Sequence, residues 1–443
     1  MSLNFKTVLL LLVNSLFVAA LSGQDLTRAR KVMDTLASPS MYGRGYVSNG
    51  TGIAADYIAG EMKKSGLKPL TTDYKQNFTT NIKTYPGPVN LSINGKELKA
   101  GTDFALITGT PSVKGTFKIQ AIDSTWFIKN TRIQKLNKKD LSNTLIMYNP
   151  SEMKGKIKRL ADSLFRYNYL KCAGFIHIID KPTISWSVMA PADPFEFPVL
   201  TVLKSSLPRN PRKAHVLIEL KVIPDYKLTN VIGYLPGTTV TADINGFTSN
   251  NAVADSFVVV TAHYDHLGML GKDAMFPGAN DNASGTAMML DMAEYYSRPE
   301  NRQPFGMIFI AFAGEELGLK GSNYCAESSP FDLKKVKFLI NLDMVGTGSE
   351  GITVVNGEQL PAFYERMVKI NSENEYVVKV AKRGESCNSD HCPFYKKGVP
   401  AIFIYSNGKE HLEYHNIYDQ AARVPFTEYE DIFRLIRDFI NTL

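Results

Sequence analysis

Short runs of apolar residues alternate with helical patterns in the second half of this chain. The runs span residues 257–262, 309–312, 338–342 and 401–405. They lack a polar face, which is typical of strands that are buried on both sides of a sheet. The alternation predicts an α/β fold in which a mainly parallel, twisted sheet carries helices on both faces. In such a sheet, ligands bind beyond the carboxyl ends of the strands.

The chain has 443 residues, which is too long for one ordinary core and predicts more than one domain. Residues 86–225 differ in character, with short β-type segments, many lysines and no cluster of candidate catalytic residues. We therefore expect a mainly β domain at 86–225, inserted into a catalytic domain formed by residues 23–85 and 226–443.

The first residues have the pattern of a signal peptide. Lys6 precedes an apolar stretch over residues 7–21, and the small residues around Ser22 place a cleavage site before Gly23. The stretch is short for a membrane span, and Asn14 interrupts it. The sequence predicts a signal peptide at 1–22, export to the periplasm or the medium, and no stable membrane insertion after cleavage. An uncleaved membrane anchor is the alternative.

The composition is that of a soluble globular protein, with 44% hydrophobic and 21% charged residues and a formal net charge of +7. No cluster of Lys and Arg interleaves with aromatic residues, so we expect no nucleic-acid partner. The oligomeric state is not predicted by these features.

Four cysteines are present: Cys172, Cys325, Cys387 and Cys392. In an exported chain a disulfide is plausible, and three pairings can be drawn. Cys387 and Cys392 enclose only a short loop that a bridge could pin. No CxxC spacing is present, which argues against a cysteine-based zinc site.

Two adjacent carboxylates, Glu315 and Glu316, follow the apolar run that ends at Phe312. Like charges repel each other, so the pair gains nothing structurally at a strand end. It is explained if a cation lies there, since one glutamate can bind a metal while the other acts on the water that the metal activates.

Other candidate metal ligands also fall at strand ends or in nearby loops. Each alone has a structural interpretation, such as a helix N-cap for Asp281. Together they fall where a parallel sheet concentrates its site, and histidines with carboxylates favour zinc over calcium or magnesium. Three carboxylates and two histidines are more ligands than one tetrahedral zinc takes, and they suit two metals that share a carboxylate. The candidate ligands are His263, Asp281, Glu316, Asp343 and His415.

The order and spacing of these motifs resemble the M28 family of zinc aminopeptidases. The resemblance covers about residues 26–85 and 230–443, and it rests on the segments 263–265, 278–285, 314–318, 341–344 and 414–415. On weaker grounds, the inserted region resembles a protease-associated domain, because the sequence segments 172–176 and 197–200 are similar to segments of that domain.

The resemblance implies a role for each residue. Asp265 orients His263, Glu315 is the general base that takes a proton from the water shared by the metals, and Tyr414 hydrogen-bonds the scissile carbonyl oxygen. Asp419 holds His415 from behind. The two zinc ions are bridged by Asp281, with Glu316 and His415 completing one site and His263 and Asp343 the other.

The sequence therefore predicts a secreted di-zinc metallopeptidase that acts on peptide substrates, an aminopeptidase in the first instance. A zinc glutaminyl cyclase of the same fold is an alternative, although such enzymes normally hold one zinc and depart from the full ligand set. A carboxypeptidase or dipeptidase of related architecture and a binding protein without catalysis are further alternatives. The preferred side chain at the cleaved residue and the role of the inserted domain stay open.

Several other histidines fall outside this scheme. His391 is expected to make a structural hydrogen bond rather than to contact substrate, and His266 is left without a role. His177 and His215 lie in the predicted inserted domain, and we expect neither to take part in catalysis.

Overall fold

The computed structural model describes residues 24–128, 131–189, 195–238 and 256–443. The predicted signal peptide at 1–22 lies outside the described residues. None of the helices within those ranges combines the length and the apolar character needed to span a bilayer.

The described elements form two large sheets, one two-stranded hairpin and the helices around them. The strands, in chain order, are β1 (Lys68–Pro69), β2 (Lys75–Thr84), β3 (Val89–Ile93), β4 (Lys96–Leu98), β5 (Phe104–Leu106), β6 (Val113–Ala121), β7 (Thr144–Tyr148), β8 (Gly174–Ile179), β9 (Val199–Leu203), β10 (Lys213–Ile218), β11 (Lys221–Leu235), β12 (Phe257–His263), β13 (Gly268–Leu270), β14 (Ala274–Phe276), β15 (Gly306–Phe312), β16 (Val336–Leu342), β17 (Gly351–Val355), β18 (Val380–Arg383) and β19 (Ala401–Asn407). The helices are α1 (Leu26–Leu36), α2 (Gly50–Lys64), α3 (Ser124–Ile128), α4 (Thr131–Leu136), α5 (Gly155–Tyr167), α6 (Gly285–Ser297), α7 (Lys320–Glu327), α8 (Pro361–Asn374), α9 (His391–Lys396) and α10 (Tyr429–Ile440).

The first sheet has the strand order β1-β11-β15-β12-β16-β19-β17-β18, and β2 also pairs with β11. Its central strands β15, β12, β16 and β19 run parallel to one another. Antiparallel pairs extend the sheet on both sides, through β11 on β15 and β17 on β19. The predicted parallel arrangement is thus confirmed for the central strands, while the sheet as a whole is mixed.

Helices cover both faces of this sheet, as predicted. Successive side chains of a strand point to opposite faces, and β12 shows the consequence. Val258 and Val260 belong to the core that includes α6 and α10, whereas Phe257 and Val259 pack in a second cluster with residues of α7 and α9. Both faces are apolar, which explains why the strand sequence has no polar alternation.

The second sheet has the order β4-β3-β10-β6-β7-β8-β9-β5, and all of these strands lie between Val89 and Ile218. One of its faces packs against α4 and α5, whose buried residues share a cluster with Ile146 and Phe175. The long strand β11 leaves this region antiparallel to β2 and continues into the first sheet, crossing the predicted boundary at residue 225. The limits of an inserted domain therefore stay a prediction.

Candidate metal centre

The central strands bring the predicted residues to one edge of the first sheet. His263 ends β12, Glu315 and Glu316 follow β15, and Asp343 follows β16. Because β15, β12 and β16 are adjacent and parallel, their carboxyl ends meet. Two loops complete the cluster, with Asp281 just before α6 and His415 after β19.

Asp281 lies between two groups of donor atoms. His263 Nε2 is 3.4 Å from Asp281 Oδ1 and 3.4 Å from Asp343 Oδ1. On the other side, His415 Nε2 is 3.2 Å from Asp281 Oδ2 and 3.3 Å from Glu316 Oε2. Ligands of a tetrahedral zinc at its usual bond lengths are about 3.3–3.6 Å apart. The donor separations on both sides fit such an ion, with Asp281 shared between the two.

Several buried polar atoms of the cluster have no hydrogen-bond partner in the protein. Asp343 Oδ1, which faces His263, is one of them, and Nε2 of His266 is another. Leaving such an atom unpaired costs about 1–3 kcal/mol, so a buried group of them calls for a ligand. Imidazole and carboxylate donors at these separations fit two divalent cations.

The excess of negative charge is visible in the histidine pKa values. Burial acts to lower the pKa of His415, but Glu316 and Asp281 outweigh it and raise that pKa to about 11. Burial likewise opposes protonation of His263, yet Asp343 and the other carboxylates raise its pKa well above the ordinary value. The field of the cluster therefore favours positive charge at the position of the histidine nitrogens.

Two buried charged residues hold the loop that carries Asp281. Arg44 is fully buried and donates to the carbonyl oxygens of Tyr264 (2.6 Å), Pro277 (2.7 Å) and Gly278 (2.6 Å). From the other side, Asp419 accepts hydrogen bonds from the backbone N–H of Asn280 at 2.8 Å and of Asp281 at 3.0 Å. The protein thus holds the backbone that presents Asp281 from two sides.

The predicted contact between Asp419 and His415 is wrong. Besides the two backbone N–H groups, the Asp419 carboxylate lies 2.9 Å from Nε2 of His411. The family resemblance implied that contact, but the described hydrogen bonds of Asp419 go to His411 and to the backbone before α6. Asp419 therefore supports Asp281.

Asp343 is held by a chain of hydrogen bonds that crosses the sheet. Thr261 Oγ1 donates to Asn341 Oδ1, Asn341 Nδ2 donates to Ser389 Oγ, and Ser389 Oγ donates to Asp343 Oδ2 at 2.9 Å. Each of these residues is buried. The carboxylate oxygen that does not face His263 is thus bound to the protein.

Asp265 lies behind His263, but its carboxylate acts mainly on the glutamates. The closest contact of His263 Nδ1 is the backbone oxygen of Asp265 at 3.1 Å, and the carboxylate is 3.8 Å away. The carboxylate accepts from the backbone N–H of Glu315 at 3.1 Å and of Glu316 at 3.4 Å. Asp265 therefore joins the strand end of His263 to the loop of the two glutamates.

Glu315 lines a cavity of about 200 Å³ with His263, Asp281, Asp343 and His415. Burial raises the pKa of its carboxyl well above the ordinary value. In the described contacts, Glu315 shares no ion pair with the histidines, in contrast to its neighbour Glu316. The two adjacent glutamates therefore differ in their surroundings: Glu316 contacts a histidine, and Glu315 lines the cavity.

Tyr414 lies at the mouth of this cavity and is half exposed. Its ring stacks on His415, with centroids 3.9 Å apart and an interplanar angle of 15°. The remaining wall of the cavity is formed by Met344, Arg383, Asn388, Phe403 and Tyr405.

A disulfide joins Cys387, in the loop after β18, to Cys392 in α9, and Cys172 and Cys325 are free and buried. His391, the first residue of α9, is fully buried. Its ring packs against Phe403, with centroids 5.6 Å apart, and lies within reach of backbone groups of Ser386 and Ser389, so the expected structural hydrogen bond stays a prediction. Burial lowers the pKa of His391 to about 4.

Sequence reasoning missed three residues that contact the cluster or its supports: Arg44, His266 and His411. Arg44 stands between two glycines, and His266 directly follows Asp265. These two sequence features can be seen in the chain, but neither of them indicates that the side chain of Arg44 or His266 is buried. The position of His411 depends on a loop conformation that has no sequence signature.

The edge of the sheet, the paired donor groups and the separate carboxylate of Glu315 are features of a metal-dependent hydrolase. Residues 239–440, a little under half of the chain, match the model of peptidase family M28. The resemblance read from the motifs is confirmed over this segment of the chain.

Curated relatives match about half of the chain. Aminopeptidase YwaD of Bacillus subtilis is 29% identical over 238 residues, which cover 51% of this chain and 47% of that protein. A probable leucine aminopeptidase of Arthroderma otae is 28% identical over 242 residues, which cover 50% of this chain and 59% of that protein. The chain thus spans about half the length of the curated relatives that it matches.

The fold is shared with a solved structure over almost the whole chain. The zinc aminopeptidase BSAP from Bacillus subtilis superposes with a TM-score of 0.66 at 21% identity, covering 95% of each chain. At this identity the likeness shows the fold. An α/β core with a second sheet is therefore an arrangement that known proteins also adopt.

Proposed function

We propose that this chain is a di-zinc aminopeptidase that removes N-terminal residues from peptides. The main support is geometric: the two carboxylate oxygens of Asp281 face separate donor groups, each at the ligand separations of a tetrahedral zinc. The names of the relatives, which include aminopeptidases and a zinc aminopeptidase, agree with this proposal.

His263 and Asp343 would hold one ion, Glu316 and His415 the other, and Asp281 both. Bound there, the ions would supply Lewis acidity, which lowers the pKa of a water and polarises the scissile carbonyl. Glu315 accepts a proton from the attacking water and returns it to the nitrogen of the leaving peptide as the C–N bond breaks. Tyr414, which lines the same cavity and stacks on His415, would stabilise the oxyanion with its hydroxyl.

A panel of chromogenic aminoacyl substrates, run with and without a chelator, tests the proposed activity. We expect turnover of substrates with a free N-terminus, loss of turnover in chelator, and none with N-acetylated controls. Equal turnover of free and blocked substrates would contradict an aminopeptidase. Cyclisation of glutaminyl peptides, with one zinc per chain, would identify a glutaminyl cyclase.

The role of Glu315 is tested by Glu315→Gln. The amide has nearly the same shape but cannot take a proton, so we expect kcat to fall by roughly 10²–10⁴-fold while both zinc ions stay bound. Metal content and kcat are measured on the same preparation. Glu327→Gln, an exposed change at the end of α7, serves as the control and should keep full activity. A Glu315→Gln enzyme near full activity would remove Glu315 from this role.

We also propose export of the chain and a role for residues 86–225 in limiting substrate length. Export rests on the sequence of residues 1–22 alone, and N-terminal sequencing of the mature protein tests it by showing whether cleavage occurs before Gly23. The second proposal predicts that deletion of residues 86–224 changes the substrate length profile. An unchanged profile, with the remaining fold intact, would refute it.

A further inference from the structure

His266 is a buried histidine beside the proposed metal ligands, and the activity proposed above does not use it. The side chain is fully buried, and neither ring nitrogen has a hydrogen-bond partner. Nδ1 lies 2.9 Å from Glu316 Oε1 and 3.9 Å from Asp281 Oδ2. The ring also packs edge-on against His415, with centroids 5.7 Å apart.

The distances separate His266 from the residues assigned as ligands. Donor atoms that face one another across each proposed ion are 3.2–3.4 Å apart. The separation of 2.9 Å between His266 and Glu316 is that of a hydrogen bond, and 3.9 Å to Asp281 is longer than a ligand pair requires. His266, Asp281 and Glu316 are also close enough together to hold an ion, but the 2.9 Å separation favours a hydrogen bond between His266 and Glu316.

Glu316 presents its two oxygens to different partners. Oε2 lies 3.3 Å from His415, on the side of the proposed ion, and Oε1 faces His266. The present angle does not meet hydrogen-bond geometry, which leaves both atoms unpaired. Rotation about the terminal torsion of Glu316, which is soft, would align them.

The ring of His266 has little freedom to move. Gly278 approaches so closely that a Cβ at that position would lie 2.4 Å from His266 Cγ. The backbone N–H of His266 also donates to the carbonyl oxygen of Arg44 at 3.4 Å. A donor held in this way can define the orientation of a neighbouring carboxylate.

We propose that His266 is a positioning residue: its Nδ1–H binds Glu316 Oε1 and thereby holds Oε2 toward the metal shared with His415 and Asp281. This inference rests on the proposed di-zinc function. Outer partners of metal ligands typically change metal affinity by about 10–100-fold when they are removed.

Three full-length variants test the inference at neutral pH by zinc content and by competition with a chelator. His266→Asn keeps an amide N–H near the position of Nδ1, and His266→Leu fills similar space without a donor. We expect His266→Leu to bind one of its two zinc ions about 10–100-fold more weakly, and His266→Asn to bind both nearly as the wild type does. His177→Leu, a change at a buried histidine of the second sheet, is the matched control and should keep both ions.

Each other outcome has a definite meaning. Two zinc ions bound to His266→Leu with wild-type affinity would overturn the inference. Equal weakening in both variants would also overturn it, because it would make His266 a direct ligand. The remaining tightly bound zinc of His266→Leu reports that the fold is intact. A wild-type chain that binds fewer than two zinc ions would instead refute the proposed di-zinc function.

Discussion

At the scale of single residues, Asp281 determines the geometry of the centre because its two oxygens face two donor groups. Its position depends on backbone contacts made by residues far away in sequence. Arg44 holds the preceding carbonyl groups, and Asp419 holds the N–H of Asp281 itself. A planar guanidinium suits this task, since its N–H groups can reach several carbonyls at once.

Replacement of Arg44 should therefore be costly even by lysine. An ammonium group cannot reach the carbonyls of Tyr264, Pro277 and Gly278 together, so buried acceptors lose their partners. We expect Arg44→Lys to lower the free energy of unfolding by at least about 3 kcal/mol, measured by urea denaturation in chelator. Arg434→Lys, which alters an exposed ion pair on α10, should change it by less than about 1 kcal/mol. Similar values for both variants would contradict this role of Arg44.

At the scale of elements, apolar strands and their ends could be predicted from the sequence. The strands β12, β15, β16 and β19 begin and end close to the predicted runs, because strands buried on both faces leave a clear composition signal. The antiparallel edges of the first sheet carry no such signal, since β2 and β11 are partly exposed and pair over a long distance in sequence.

The site was predictable to the extent that its residues follow strands. His263, Glu316 and Asp343 meet because neighbouring parallel strands end together. The contacts of Asp419, His391 and His266 depend on how irregular loops turn, and pattern and spacing do not encode that. The contact of Ser389 with Asp343 could likewise not be predicted from the sequence, because a serine in a loop can have many roles.

Strand β8 of the second sheet carries a buried histidine with a pH consequence. His177 packs edge-on against Tyr148 and Phe165, and burial lowers its pKa to about 4. The ordinary pKa of histidine is about 6.5, so the unfolded chain takes up the proton first as the pH falls. The stability contributed by neutral His177 is present above pH 6.5 and is lost as the pH falls toward 4.

We expect wild-type stability to fall between pH 7.5 and 4.5 by about 2–3 kcal/mol more than that of His177→Leu. Urea denaturation in chelator measures this difference without a contribution from bound metal. His215→Leu, at an exposed position on β10, should follow the wild-type pH dependence. If the free energy of unfolding had the same pH dependence in wild type and His177→Leu, burial of His177 would not contribute to that dependence.

At the scale of the whole molecule, the second sheet reaches the metal centre through the segment between β8 and β9. The backbone N–H of Trp186 donates to the carbonyl oxygen of His415 at 2.9 Å, and Ser185 Oγ donates to that of Tyr414 at 3.3 Å. The Trp186 ring packs on Phe276, with centroids 5.1 Å apart. His415 has a φ of 54°, a conformation that side-chain-bearing residues rarely adopt, so this contact helps to hold it.

Trp186→Ala should therefore weaken catalysis although Trp186 is no proposed ligand. Loss of the ring frees the segment that holds His415, and a displacement of about 1 Å at a reacting group can cost about 100-fold. We expect kcat/KM for an aminoacyl substrate to fall at least about 10-fold. Trp126→Ala, on α3 of the second sheet region, removes the other tryptophan of the chain and should leave kcat/KM unchanged. Equal activity of the two variants would show that the Trp186 ring does not contribute to the position of His415.

Arg44 and Asp419, which hold the backbone around Asp281, lie far from it in sequence, and this fixes when the metal centre can form during synthesis. The strands of the second sheet, between residues 89 and 218, leave the ribosome before any proposed ligand is made. Arg44 is made earlier still, but the carbonyls that it holds and the carboxylate of Asp419 follow more than 200 residues later. Both proposed metal sites can therefore be complete only after residues 415–419 have been translated, because His415 is a proposed ligand and Asp419 holds the backbone of Asp281.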